Sequence, residues 1–158
     1  MGGREQATGL QPSMSFRKAD KLYYSAEAEA RIDLMGAFPC VDDAQLYVSH
    51  VQSRGWWKDL AGEPEIEVRY VRRVQVSGTH RHRGKFYVDL SLGRLHEGIL
   101  LHELAHVPTY VPDLAHNDHG VAFAKAHLTL LDHMVDRYLV TQFRHALEKR
   151  GILPSETA

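Results

Sequence analysis

The sequence predicts an α+β fold: a small antiparallel or mixed sheet packed on a histidine-bearing helix, with helices before it and a helical C-terminus. Three observations predict it. Apolar residues recur every three or four positions between residues 20 and 55. They alternate with polar ones between 65 and 92, then return to helical spacing from 94 to 150. At 158 residues the chain has the length of one ordinary domain with a sizeable core. We expect residues 16–158 to form that domain. Residues 1–15, rich in Gly, Gln and Ser without periodicity, read as a disordered arm.

The first helix is expected over Asp20–Met35, "DKLYYSAEAEARIDLM", where Leu22, Ala26, Ala30 and Leu34 share a stripe; Leu22–Tyr24 could instead form an extended lead-in. Gly36 to Pro39 punctuates it. Asp42 is the expected N-cap of a second helix with Ala44, Val48 and Val51 on one side, stopped by Gly55. In "EIEVRYVRRVQV" Ile66, Val68, Tyr70, Val74 and Val76 fall on one face of a strand, interrupted by Arg72. A second strand starts near Lys85, with Phe86, Val88, Leu90 and Leu92 on one face. An irregular hairpin tipped by "SGTHRHRG" is expected to join the two, and His80, Arg81, His82 and Arg83 read as its solvated tip. After Gly93, "RLHEGILLHELAHV" returns to helical spacing and ends before Pro108. The pattern from Gly120 to Arg150 exceeds 25 residues, so a break is expected between His133 and Arg137, with Gly151 as the stop.

Net charge is -1 and pI about 6.8, which argues against a protein that coats nucleic acid by bulk charge. The lone Cys40 cannot form an internal disulfide; a reducing, cytoplasmic setting and a small buried hydrophobe are the expectations. The N-terminus has no apolar signal region, and no apolar run approaches 18 residues, so no membrane partner is expected. Oligomeric state is not legible. Trp56 and Trp57 read as packing residues, and His127, His133 and His145 as surface or satisfied core residues.

The chemistry lies in "LHELAHVPTY", Leu101–Tyr110. Residues four apart on a helix differ by about 40°, so His102 and His106 project from one face and can share a metal. Glu103 sits about 60° round from His106, off the ligand direction but within reach of a water at the metal. Two neutral imidazoles and a general base are the logic of a zinc hydrolase. With eleven His and ten Glu in the chain, about 0.05 chance matches are expected. The third ligand is His119 or His116, with Asp113 and Asp118 behind them. His119 is preferred because it opens the next helix in "HNDHGVAF", where it is rigidly aimed, while Phe123 can pack beneath. Tyr110 is a candidate donor to an oxyanion, though a packed loop aromatic is its plainer role. Lys85–Leu92 could be an edge strand that takes an extended peptide by backbone pairing.

"HELAH" followed by "HGVAF" resembles the zincin metallopeptidases, and most closely SprT-like proteins. The wider pattern resembles small HExxH metallohydrolases of actinobacteria and their phages. The stretch from Ile99 to Phe123 carries the resemblance; the strand Lys85–Leu92 matches loosely, and the N-terminal third contributes nothing. The resemblance implies a zincin-like fold, a Zn2+ cofactor, peptide or protein substrates, His102, His106 and His119 as ligands, and Glu103 as catalytic base. Unlike SprT-like proteases of the DNA-repair type, the sequence has no CxxC pair for a zinc ribbon. The motif specifies metal and base but not substrate. A non-peptidase zinc hydrolase and a metal-stabilised binding protein therefore share it.

Overall fold

The structure, a computed structural model, describes residues 12–72, 77–91, 95–112 and 119–155. The first helix, α1 (Pro12–Ala30), starts on a proline, whose missing N–H costs nothing at a first helical position. It begins before the expected start at Asp20 and inside the expected arm; Leu22–Tyr24 is helical, not extended. The rest of the arm, residues 1–11, lies outside the described residues. Arg31, at φ 60°, breaks the helix in left-handed backbone, and a 3-10 turn (Ile32–Leu34) follows.

The second helix, α2 (Val41–Gln52), buries Ala44, Val48 and Val51. Its N-cap is Cys40 rather than Asp42; Asp42 and Asp43 fall in the first turn, where the positive end of the helix favours carboxylates. Cys40 is exposed, contrary to expectation, and its thiol donates to Asp43 at 3.2 Å. Helix α2 ends before Gly55, as expected, but Gly55 also starts a short helix, α3 (Gly55–Ala61), that the sequence did not lead us to expect. Trp57 is fully buried there, and Trp56 lies flat on His133 at 4.3 Å.

The sheet corrects two expectations. β1 (Ile66–Val71) pairs in parallel with β3 (Lys85–Ser91), and "GTHRH" is not a loop tip but a strand, β2 (Gly78–His82), antiparallel to β3. The order is β1-β3-β2, so β3 is the central strand and cannot accept an added peptide. Arg72 lies just past the end of β1, which removes the apparent break in its apolar face. Val74, Val76 and Leu92 lie outside the described residues. Arg83 (φ 50°) and Gly84 (φ 79°) make the two-residue connection between β2 and β3, with both residues in the left-handed backbone that such tight hairpins need. The outer edge of β1 is closed by α2: Gln45 Nε2 donates to the Ile66 carbonyl at 3.1 Å, and its Oε1 accepts from Val68 N–H at 2.8 Å.

Ile66, Val68, Phe86, Val88 and Leu90 form the buried face of the sheet. Over it runs α4 (Glu97–Ala105), which buries Leu100, Leu101, Leu104 and Ala105. Its last turn tightens to three-residue spacing, with His106 N–H on the Glu103 carbonyl and Val107 N–H on Leu104, before Pro108 ends it. Gly98 lets this helix touch the 3-10 turn: a Cβ there would stand 1.8 Å from the Ile32 carbonyl oxygen. α5 (Val121–Met134) and α6 (Arg137–Lys149) are separated at the expected break. Asp136 caps α6 by accepting from Tyr138 N–H at 2.7 Å, and Gly151 (φ 72°) ends it, with Ile152 N–H reaching back to Leu147 at 3.0 Å. Helix α1 packs along α6. The described chain is thus α+β, with six α-helices and a mixed three-stranded sheet. No helix among the described residues is long and apolar enough to cross a membrane.

Candidate metal centre

Helix α4 delivers His102 and Glu103 from within its last turn and His106 from its C-cap, while His119 stands just before Gly120, the N-cap of α5. His102, His106 and His119 are all buried, and each offers a ring nitrogen within 4.8 Å of the other two. Phe123, one turn into α5, packs against all three rings, with centroids 4.3 Å from His106, 4.7 Å from His119 and 5.0 Å from His102. His116, Asp113 and Asp118 lie outside the described residues.

Two ligand candidates are held by carboxylates that sequence periodicity did not single out. His102 Nδ1 is 2.8 Å from Glu27 Oε2, and His119 Nδ1 is 2.6 Å from Asp20 Oδ1. A carboxylate only accepts, so each Nδ1 carries the hydrogen, and Nε2 of a neutral ring is left as a lone pair. Those two Nε2 atoms face one another at 3.0 Å. Such a pair is held together by a proton, when His102 is an imidazolium, or by a metal ion between two lone pairs. Two ligands of a tetrahedral zinc, each about 2.0–2.1 Å from the ion, stand roughly 3.3 Å apart. His106 adds a buried Nδ1 with no hydrogen-bond partner among the described residues. The donor set therefore fits a divalent zinc ion.

Burial works against charge on His102, but the Glu27 carboxylate, with Glu103 and Asp20 behind it, outweighs that and raises its pKa. Burial, then the positive charge of His102, then His119, push His106 down to about 2. Burial and His102 likewise lower His119, against the pull of Asp20. His106 and His119 are thus neutral, the form in which imidazole binds metal. Burial also raises Glu103 above the usual carboxylate range, opposed by His102 and by the Thr79 hydroxyl. Thr79 sits on the α4-facing side of β2. Its hydroxyl reaches Glu103 Oε2 at 2.8 Å and the Glu103 carbonyl at 2.9 Å, one hydrogen shared by two acceptors. Among the described residues no hydrogen bond engages Oε1 of Glu103.

A cavity of about 180 Å³ opens on His102 and Glu103, with Tyr24, Glu27 and Ser77 among its walls. Comparison of the chain with protein-family models, with curated proteins and with solved structures finds no match.

Tyr110 is not on that cavity's wall; its ring packs edge-on against Phe86 at 5.4 Å. His127, read as surface or satisfied core, is fully buried behind the site. Its Nδ1 meets the Tyr23 hydroxyl at 2.7 Å, and its Nε2 has no hydrogen-bond partner among the described residues. Glu27, His102 and His127 form a second group of donors within 4.8 Å. Asp20, Tyr23, Tyr24 and Glu27 lie at spacings of three, four and seven on α1, one face of a helix. That spacing was present in the sequence, but nothing local says that the face meets a histidine.

Proposed function

We propose that this chain is a zinc-dependent metallohydrolase of zincin-like fold, and within that class a metallopeptidase acting on peptide or protein substrates. The observation that carries this is the facing pair of buried imidazole Nε2 atoms, each ring braced through Nδ1 by a carboxylate, beside a third histidine and a buried glutamate. A structural helix has no use for such an arrangement, because burying four ionisable groups is costly unless they act together.

His102, His106 and His119 would hold the zinc. When bound, it supplies Lewis acidity and makes a water molecule acidic near neutral pH. Glu103 accepts a proton from water at Oε1 while Thr79 fixes Oε2, and then delivers that proton to the departing amine. Its burial suits this task, since a carboxyl group raised above its usual range holds a proton long enough to pass it on. Glu27 and Asp20 keep the ligand rings in one tautomer and orientation. Among the described residues no strand pairs with the outer edge of β2, and Thr79 of that strand touches Glu103. An extended peptide pairing there would pass the site.

The test is Glu103→Gln, assayed by digestion of a peptide library alongside zinc content. We expect hydrolysis to fall by at least about 10²-fold, the scale of a lost general base, with zinc retained. Full hydrolysis by a zinc-loaded Glu103→Gln protein would refute the assigned role.

A further inference from the structure

Acyl transfer needs a donor aimed at the oxygen on which negative charge develops. Most hydroxyl groups near the site are already engaged. The Thr79 hydroxyl is shared between two oxygens of Glu103, and the Tyr23 hydroxyl is tied to His127. Tyr110 packs on Phe86, away from the cavity. Among the described residues two hydroxyl groups remain on the cavity wall, those of Ser77 and Tyr24. Ser77 Oγ already accepts from the Ser91 amide at 3.3 Å.

Tyr24 is placed differently. It is 47% exposed and lines the cavity, and its hydroxyl has no hydrogen-bond partner among the described residues. Its ring lies within 19° of parallel to His102 at 5.8 Å between centroids and edge-on to His119 at 5.3 Å. Tyr24 therefore stands against two of the three ligand candidates and lines the same cavity as Glu103.

Resting on the metallohydrolase reading above, we infer that Tyr24 is a further catalytic residue, whose phenolic O–H donates to the oxyanion formed on the substrate carbonyl. Tyr110 has no part in that step.

The test uses the full chain loaded with zinc and acetohydroxamate as probe, a small zinc ligand that presents an oxyanion. Wild type, Tyr24→Phe, Tyr110→Phe and Ser77→Ala are compared by calorimetric Kd and by zinc per chain. Phenylalanine keeps the ring against His102, so zinc content stays the same. We expect Tyr24→Phe to bind the probe about tenfold more weakly, the scale of one hydrogen bond to a charged group, with Tyr110→Phe and Ser77→Ala unchanged. With a peptide substrate, Tyr24→Phe then lowers kcat and leaves KM alone. Unchanged probe affinity in Tyr24→Phe overturns the inference, as does a loss confined to Ser77→Ala. Loss of zinc from Tyr24→Phe also overturns it, because the ring then serves only to pack the ligands. A wild type that takes up no zinc is a separate result and overturns the metallohydrolase reading itself.

Discussion

Replacing Glu27 by Gln should weaken zinc binding more than replacing Asp20 by Asn, although the hydrogen bond to Asp20 is the shorter. Glu27 lies 2.8 Å from His102 Nδ1 and Asp20 lies 2.6 Å from His119 Nδ1. Distance alone would rank Asp20 first. Burial reverses the order: the side chains of His102 and Glu27 are 5% and 8% exposed, whereas that of Asp20 is 35% exposed. A hydrogen bond to a charged group contributes about 1.5–3 kcal/mol, a neutral one about 0.5–1.5. Glu27→Gln exchanges one for the other where both side chains are almost wholly shielded from solvent, a loss of about 1.4 kcal/mol or tenfold in Kd. That is the lower end of the roughly 10–100-fold range for such supporting residues. At Asp20 water competes for the carboxylate, so Asp20→Asn should cost less, about threefold. Competition against a chromophoric chelator gives both values, with circular dichroism to confirm that each variant is folded. Equal losses, or a greater loss in Asp20→Asn, would show that burial does not set the strength of these contacts. An unchanged Kd in Glu27→Gln would show that His102 is not a ligand braced in this way.

Three further outcomes are expected. Zinc per chain should fall from one to near zero in His119→Ala and stay at one in His116→Ala; the reverse pattern would make His116 the third ligand. Gly98→Ala places a methyl group 1.8 Å from a backbone oxygen of Ile32. It should cost about 1–3 kcal/mol, seen as a melting temperature lower by about 4–10 °C; an unaltered melting curve would mean that the 3-10 turn does not press on α4. Metal-free protein should lose stability as pH falls below about 6.5. There the unfolded chain takes up protons that folded His106, His119 and His127 refuse, their pKa values being lowered by burial and by neighbouring positive charge. Each refused proton removes about 1.4 kcal/mol per pH unit. His102 and Glu103, both raised, act the other way, since each takes up its proton at a higher pH in the folded state than in the unfolded chain; the contribution of His102 is full below about 6.5 and fades as pH rises through its folded value. Three groups against two set the sign. Urea midpoints in chelator at pH 7.5 and 5.5 measure it, and a midpoint that held or rose on acidification would contradict these pKa directions.

The sequence by itself determined what depends on short spacing. Four-residue separation put His102 and His106 on one face of a helix whichever fold surrounds it, and Glu103 beside them. Alternation revealed the buried faces of β1 and β3, and the three-and-four stepping from Gly120 to Arg150, too long for one helix, told where α5 stops and α6 begins. His119 was legible because it opens a helix 13 residues beyond His106, a short link that keeps it near.

Only the tertiary structure decided what stands opposite those faces. "GTHRH" has few apolar residues, so it read as a loop; it becomes a strand because the backbone of β3 pairs with it. The parallel pairing of β1 with β3 is likewise a matter of register and not of pattern. Glu27 and Asp20 looked like ordinary surface charges on an Ala- and Glu-rich helix, yet they meet histidines 75 and 99 positions away. Periodicity reports which residues share a face, not what that face will touch. A carboxylate that braces a metal ligand has the same local signature as one in water, and burial by the rest of the chain makes the difference.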